Sequence, residues 1–318
     1  MASWKRVGVF LGLVIILFFI TLSFNQIGTP QKKIEPIHTR QIRRQQQLRQ
    51  TCDSLQRKWN YNIDHLSNGD LANFLYDDEH RIIYCYIPKV ACTNWKRLLF
   101  ALRHGMPADY DLTSLDHDSI HDHKAIPCLK EIPKREVKEK LKHYKKFLFV
   151  RDPFVRLISA YRDKIHNSRQ PHFQGYSWLI LNQYGNQTNK PKTKEEAIAS
   201  EIYPTFYNFI QFLIDSKTAQ PLDEHWRPMY QLCHPCLIQY DFIGHQETLQ
   251  EDAEQLLKML KLENYFKFPS AYINATTRES LFKWYKPALT EDRRKLYQLY
   301  EMDFNLFGYS KPVELLDS

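Results

Sequence analysis

The stretch from Arg81 to Leu102 constrains the fold more than any other part of the chain. Ile82 to Ile87 is a β-branched and aromatic run, the pattern of a short buried strand. Pro88 ends it, because proline has no N–H to give to a ladder. From Asn94 onward Trp95, Leu98, Leu99 and Leu102 recur at helical spacing. The order is therefore strand, tight loop with Lys89 and Thr93, helix. A helix N-terminus with an ammonium beside it is a phosphate cradle. The loop contains no glycine and lacks the G-x-x-x-x-G-K-[ST] pattern, so a nucleoside triphosphate is not the ligand it advertises.

A second strand–helix junction follows. Phe147 to Val150 is apolar and suits a buried parallel strand. Asp152 can cap the next helix, Pro153 suits its first turn, and Leu157, Ile158 and Tyr161 supply its apolar face. Arg151 at the strand end and Ser159 in the helix stand where a phosphate can be gripped, a task for which arginine's planar fork is well shaped. The expected fold is a parallel sheet flanked by helices, with both loops at the carboxyl ends of strands.

These two junctions carry a resemblance. Pro88-Lys89-Val90-Ala91-Cys92-Thr93-Asn94-Trp95-Lys96-Arg97 resembles the 5′-phosphosulfate loop of Golgi carbohydrate sulfotransferases. The branch concerned holds the chondroitin/dermatan 4-O-sulfotransferases, the GalNAc 4-O-sulfotransferases and the HNK-1 sulfotransferase. The second junction resembles their 3′-phosphate motif at Arg151, Asp152, Pro153, Arg156 and Ser159. The resemblance covers about Asn73 to Tyr309 and implies the P-loop-like fold of these enzymes. It implies 3′-phosphoadenylyl sulfate (PAPS) as donor, a sugar hydroxyl as acceptor and no metal. Donor contacts are expected from Pro88, Lys89, Val90, Ala91, Cys92, Thr93 and Asn94, and from Arg151, Asp152, Pro153, Phe154, Val155, Arg156, Leu157, Ile158 and Ser159. The implied acceptor is the 4-OH of N-acetylgalactosamine in chondroitin or dermatan chains. The 3-OH of glucuronate and the GalNAc of N-glycans are the alternatives within the branch.

Val7 to Phe24 is an almost unbroken apolar run, long enough for a membrane helix, and Lys5 and Arg6 precede it. The expectation is a type II signal anchor: residues 1–6 cytosolic, 7–24 in the membrane, 25–59 a stem, and 60–318 a lumenal catalytic domain in the Golgi. Gln31 to Lys58 is basic, glutamine-rich and poor in apolar residues, so a partly helical or disordered stem is expected there. The net charge of +8 suits an acidic partner such as a uronate-bearing glycan or PAPS itself, and a lumenal address removes nucleic acid as a partner.

Asp116-His117-Asp118 and the histidines His121 and His123 imitate a metal site or the D-x-D of a metal-dependent glycosyltransferase. No apolar strand leads into them, and a solvated, substrate-facing loop is the expectation. Sulfuryl transfer needs a base for the acceptor proton. His225, in Glu224-His225-Trp226, is the first candidate, oriented by Glu224 or another carboxylate, with His234 and His123 in reserve. Lys89 is the other expected catalytic group. Six cysteines in an oxidising compartment favour disulfides, in any of 15 pairings, with Cys92 expected to stay free inside the loop. Asn186 and Asn274 head N-glycosylation sequons. A non-catalytic lumenal glycan-binding protein is the rival reading outside the enzymes.

Overall fold

The protein is described by a computed structural model covering residues 36–56, 63–122, 124–166, 168–186, 190–218, 221–270 and 276–317. The chain divides into units 1–36 and 37–318, and apart from Pro36 the described residues all belong to the second. The apolar run 7–24 lies outside them. Among the described residues no helix is long and apolar enough to cross a membrane.

A four-stranded sheet organises this unit, with β1 Phe74–Asp77, β2 Ile82–Cys85, β3 Lys145–Val150 and β4 Phe242–His245 in spatial order of the chain. β2, β3 and β4 are parallel. β1 pairs antiparallel to β2, so the expected parallel sheet has one antiparallel edge. Parallel strands need crossovers. The first runs through the helix Cys92–Arg103 after β2, and the second through Pro153–Ala160 after β3.

The helix Cys92–Arg103 lays Trp95 across the sheet, with ring centroids 4.9 Å from Phe147, 4.9 Å from Phe149 and 4.6 Å from Phe268. These rings are fully or almost fully buried and anchor the strand–loop–helix to the core. Gly244 in β4 is required by the Phe149 ring, whose atoms would lie 2.2 to 2.5 Å from any Cβ placed there.

The largest departure from expectation is the stem. Ile37–Gln56 forms one helix, named α1, that covers the β4 edge of the sheet. Gln41 accepts from the Ile243 N–H and donates to its C=O at 3.1 and 2.9 Å, and Gln45 donates to Asp241 C=O at 2.9 Å. These amides complete an edge that would otherwise be open. Arg40 and Arg44 converge on Asp252, whose side chain is fully buried. Cys52 closes a disulfide with Cys236. A polar, basic composition therefore serves burial here, because Arg40, Gln41, Arg44 and Gln45 each find charged or backbone partners on the sheet edge and at Asp252.

Cys233 pairs with Cys85, so the Cys233-x-x-Cys236 pair ties two separate places, α1 and β2, to one turn. Cys92 and Cys128 are free thiols. The helix Thr290–Phe307 is followed only by the short helix Val313–Leu316 among the described residues. Its buried Asp303 accepts from the N–H groups of Met229 and Tyr230 at 2.7 and 2.9 Å, capping the short helix Met229–Cys233. Burial raises the Asp303 carboxyl to about 6 against those two hydrogen bonds and the nearby Arg156.

Candidate active site

The loop after β2 takes a left-handed backbone twice without glycine, at Lys89 (φ 71°) and Ala91 (φ 52°). Such positions cost energy in L-residues and persist only where the surroundings hold them. Two arginines from the second junction do so. Arg151 donates from Nη1 to the Lys89 carbonyl at 3.0 Å, and Arg156 donates from Nε to the Pro88 carbonyl at 3.0 Å. Val90 is fully buried beneath them. Alternation of this kind turns successive N–H groups into an anion-binding nest.

The two arginines differ in what remains. Arg156 is 1 % exposed and also donates to the carbonyls of Glu224 and Arg227, both at 2.7 Å. It ties the loop after β2 to the His225 loop and is not among the residues that line the cleft, so its contacts here are those of a pin between the two loops, whereas a donor contact was expected of it. Arg151 donates to Lys89 and Thr276, lines the cleft, and keeps N–H groups over from the five a guanidinium carries. Asp152 caps the helix Pro153–Ala160 through Phe154 and Val155 N–H. Pro153, Phe154, Val155, Leu157 and Ile158 are core residues of that helix, and Ser159 is its cleft-facing member.

The cleft has a volume of about 940 Å³ and lies at the carboxyl ends of β2 and β3. Lys89, Ala91, Cys92, Thr93, Asn94, Arg151, Ser159 and His225 all line it, residues that the sequence spreads over more than a hundred positions. Its other wall comes from Tyr161–His166, where the helix after β3 continues in π geometry and brings Arg162, Asp163, Lys164 and His166 to the cleft. Lys89 Nζ lies 2.8 Å from Asp163, with Lys164 3.4 Å from the same carboxylate oxygen. The excess of cations over carboxylates gives the cleft a positive field suited to an anionic ligand.

His225 sits half-buried against Phe173, with Nδ1 2.8 Å from Asp223 Oδ1. Asp223 also accepts the His225 N–H at 2.9 Å. Burial pushes the Asp223 carboxyl up, but the hydrogen bonds from His225 outweigh it and hold it below its ordinary value. A carboxylate on Nδ1 fixes the proton there and leaves Nε2 as the basic nitrogen. The orienting group is thus Asp223 and not Glu224. Asp223 folds back on His225 within a tight turn, while Glu224 points to Asn73 Nδ2 and the Tyr86 hydroxyl, both 3.0 Å away. Its spacing of two from His225 was the signal available in the sequence.

Of the reserve bases, His234 is half-buried and stacked on Phe74 with Nε2 near the Asp70 carbonyl, outside the cleft wall, and His123 lies outside the described residues. His121, read only as part of a metal-like cluster, does line the cleft. Its Nε2 is 3.3 Å from Thr93 Oγ1 and its Nδ1 3.3 Å from Lys96 Nζ. Burial, then the neighbouring Lys96, pushes His121 down to about 3. So weak a base is a poor proton acceptor near neutral pH. Asp116 caps the short helix His117–His121 through Ser119 N–H, which separates it in role from the exposed Asp118. Among the described residues no group of three metal-ligating side chains converges.

The residues present fit an adenosine phosphosulfate donor. Beyond the nest and cations, the buried Asn94 Oδ1 and Gln246 Oε1, both on cleft-lining residues, lack a donor among the described residues. A nucleoside carries hydroxyl and amino groups able to satisfy such acceptors.

A mixed α/β domain with a nest-forming loop, a paired arginine junction and a basic cleft is an architecture suited to binding a phosphorylated nucleotide. The signature of the sulfotransferase family matches residues 72–310, and the chain belongs to that family, on its carbohydrate sulfotransferase branch. It is 43 % identical over 269 residues to carbohydrate sulfotransferase 12 of Xenopus laevis, covering 80 % of this chain and 64 % of that protein. Carbohydrate sulfotransferase 11 of Rattus norvegicus is 38 % identical over 253 residues, 78 % of this chain and 70 % of the relative. Carbohydrate sulfotransferase 9 of Homo sapiens is 32 % identical over 247 residues, with 76 % and 54 % covered. The chain thus spans less than two thirds of the length of some of these relatives. No solved structure matches it.

Proposed function

We propose that the protein transfers a sulfuryl group from PAPS to the 4-OH of N-acetylgalactosamine in chondroitin- or dermatan-type glycans. The observation that carries the reaction is the meeting, in one basic cleft, of the Lys89 loop, Arg151 with Ser159, and the His225–Asp223 pair. The acceptor assignment rests on the resemblance in the sequence and on the positive cleft, which suits a uronate-bearing chain.

In this reading Lys89 leaves Asp163 to neutralise the 5′-phosphate, and Lys164 remains as partner to the carboxylate. Arg151 and Ser159 hold the 3′-phosphate, which fixes the donor relative to the acceptor. His225 Nε2 takes the proton of the sugar hydroxyl while Asp223 stabilises the imidazolium that forms. The donor supplies the activated sulfate.

The two disulfides support an oxidising compartment, and with the apolar run 7–24 they favour a Golgi enzyme anchored as a type II protein. Residues 37–56 then belong to the lumenal catalytic domain, and the spacer to the membrane is shorter than composition suggested. Asn186 is exposed, as an N-glycan acceptor must be, and Asn274 lies outside the described residues.

The test is transfer of label from radiolabelled PAPS by the full-length chain to desulfated chondroitin, desulfated dermatan or an HNK-1-type glucuronate acceptor. Label at the 4-position of N-acetylgalactosamine, abolished by Lys89→Ala, is expected. Label entering only the glucuronate acceptor overturns the substrate assignment, and failure to bind PAPS overturns the whole reading.

A further inference from the structure

Lys96 is a buried cation without a counter-charge among the described residues. The residue is 8 % exposed, and the contacts of its ammonium are with an aromatic ring and an imidazole, not with a carboxylate. Its neighbours are the Tyr86 ring, 4.0 Å from Nζ, and His121 Nδ1 at 3.3 Å. The first offers a cation–π contact and the second a lone pair. His121 stays neutral, held down by burial and by Lys96, so neither neighbour neutralises the ammonium. A buried charge without an opposite charge is costly and is kept where something else supplies the partner.

Its position says what that partner is. Thr93 of the phosphate loop touches His121, His121 touches Lys96, Lys96 lies on Tyr86, and Tyr86 donates to Glu224, the residue next to His225. Lys96 also lines the cleft that holds both the loop assigned to the 5′-phosphate and the assigned base. We propose that Lys96 binds the sulfuryl oxygens of the donor and orients that group for transfer. This rests on the donor reading above. In the step concerned, His225 takes the hydroxyl proton as the acceptor oxygen bonds to sulfur. The bond from sulfur to the 5′-phosphate oxygen breaks, and its electron pair leaves on that phosphate beside Lys89. The sulfuryl oxygens keep their charge throughout, so a fixed cation suits them from ground state to product.

The experiment measures binding by calorimetry on the full-length chain, for PAPS and for the desulfated nucleotide 3′-phosphoadenosine 5′-phosphate, in wild type, Lys96→Met and Lys96→Arg. Loss of a charged hydrogen bond predicts PAPS binding weaker by about 10- to 100-fold in Lys96→Met, partial recovery in Lys96→Arg, and unchanged affinity for the desulfated nucleotide. The nucleotide-free Lys96→Met protein should melt no lower than wild type, because an unpaired buried charge has been removed. Equal weakening for both nucleotides, or no change in either, overturns the proposal. So does intact PAPS binding with a raised KM for a uronate-bearing acceptor, which assigns the cation to the acceptor's carboxylate. If wild type binds neither nucleotide, the donor reading fails as well; if it binds both and only the Lys96 variants disagree, this inference alone fails.

Discussion

The His225–Asp223 pair makes the most searching prediction. Asp223→Asn keeps the size of the side chain but turns a charge-accepting oxygen into part of a neutral amide. The hydrogen bond concerned is 2.8 Å long, and the carboxylate's depressed titration shows that the fold favours its charged form. A charge-assisted bond of this kind contributes about 1.5–3 kcal/mol, a factor of roughly 10 to 100 in rate if it is fully used when the imidazolium forms. His225→Ala removes the proton acceptor itself, for which about 10²- to 10⁴-fold is the usual scale. The double variant should be no slower than His225→Ala, since Asp223 acts only through the imidazole. The assay is steady-state sulfate transfer with both substrates varied, together with calorimetric binding of the desulfated nucleotide. Loss should appear in kcat with nucleotide affinity unchanged. A Asp223→Asn variant within about threefold of wild type, or single effects that multiply in the double variant, would refute the orienting role.

Three further outcomes follow from the fold. A fragment starting at residue 37 should fold and be monodisperse, whereas one starting at residue 60 should aggregate, because it exposes the β4 edge and leaves Cys236 without Cys52; size-exclusion chromatography separates the two. Asp252→Ala leaves Arg40 and Arg44 buried without that carboxylate and should cost about 3–5 kcal/mol in denaturant unfolding, and a loss below about 1 kcal/mol would remove the network from the account of stability. His121, pushed down to about 3 from an ordinary value of 6.5, binds fewer protons folded than unfolded between those values. Its stabilising contribution is therefore complete above about pH 6.5 and is lost as the pH falls towards 3. Unfolding free energies of wild type and His121→Gln should converge in that window on acidification, and a pH-independent difference would contradict it.

Much of the site was legible before the fold. The run Ile82–Ile87, the loop from Pro88 and the helix spacing of Trp95, Leu98 and Leu102 fixed one junction, and Val150-Arg151-Asp152-Pro153 fixed the other, because strand, cap and helix signals there are local. Both junctions appear as strand followed by helix. What local pattern could not show was division of labour. Arg151 and Arg156 read alike in sequence, yet one lines the cleft and the other is sealed beneath it. Asp223 and Glu224 are neighbours, and only the turn they share decides which reaches the imidazole.

The stem shows the same division at larger scale. Composition correctly gives Gln31–Lys58 as polar and basic, and polarity alone reads as solvation. Burial of α1 depends on partners about 200 residues away, Asp241, Ile243 and Asp252, which no local window contains. The sequence by itself determines where chain direction changes, which residues can cap, and where a strand gives way to a loop and a helix, since each follows from neighbours within a few positions. Only the tertiary structure decides which of those polar groups meet one another and which are left facing the cleft. Lys89, Lys96, Asp163 and His225 acquire their chemistry from that second decision, because the energy of a charge is set by what surrounds it in space.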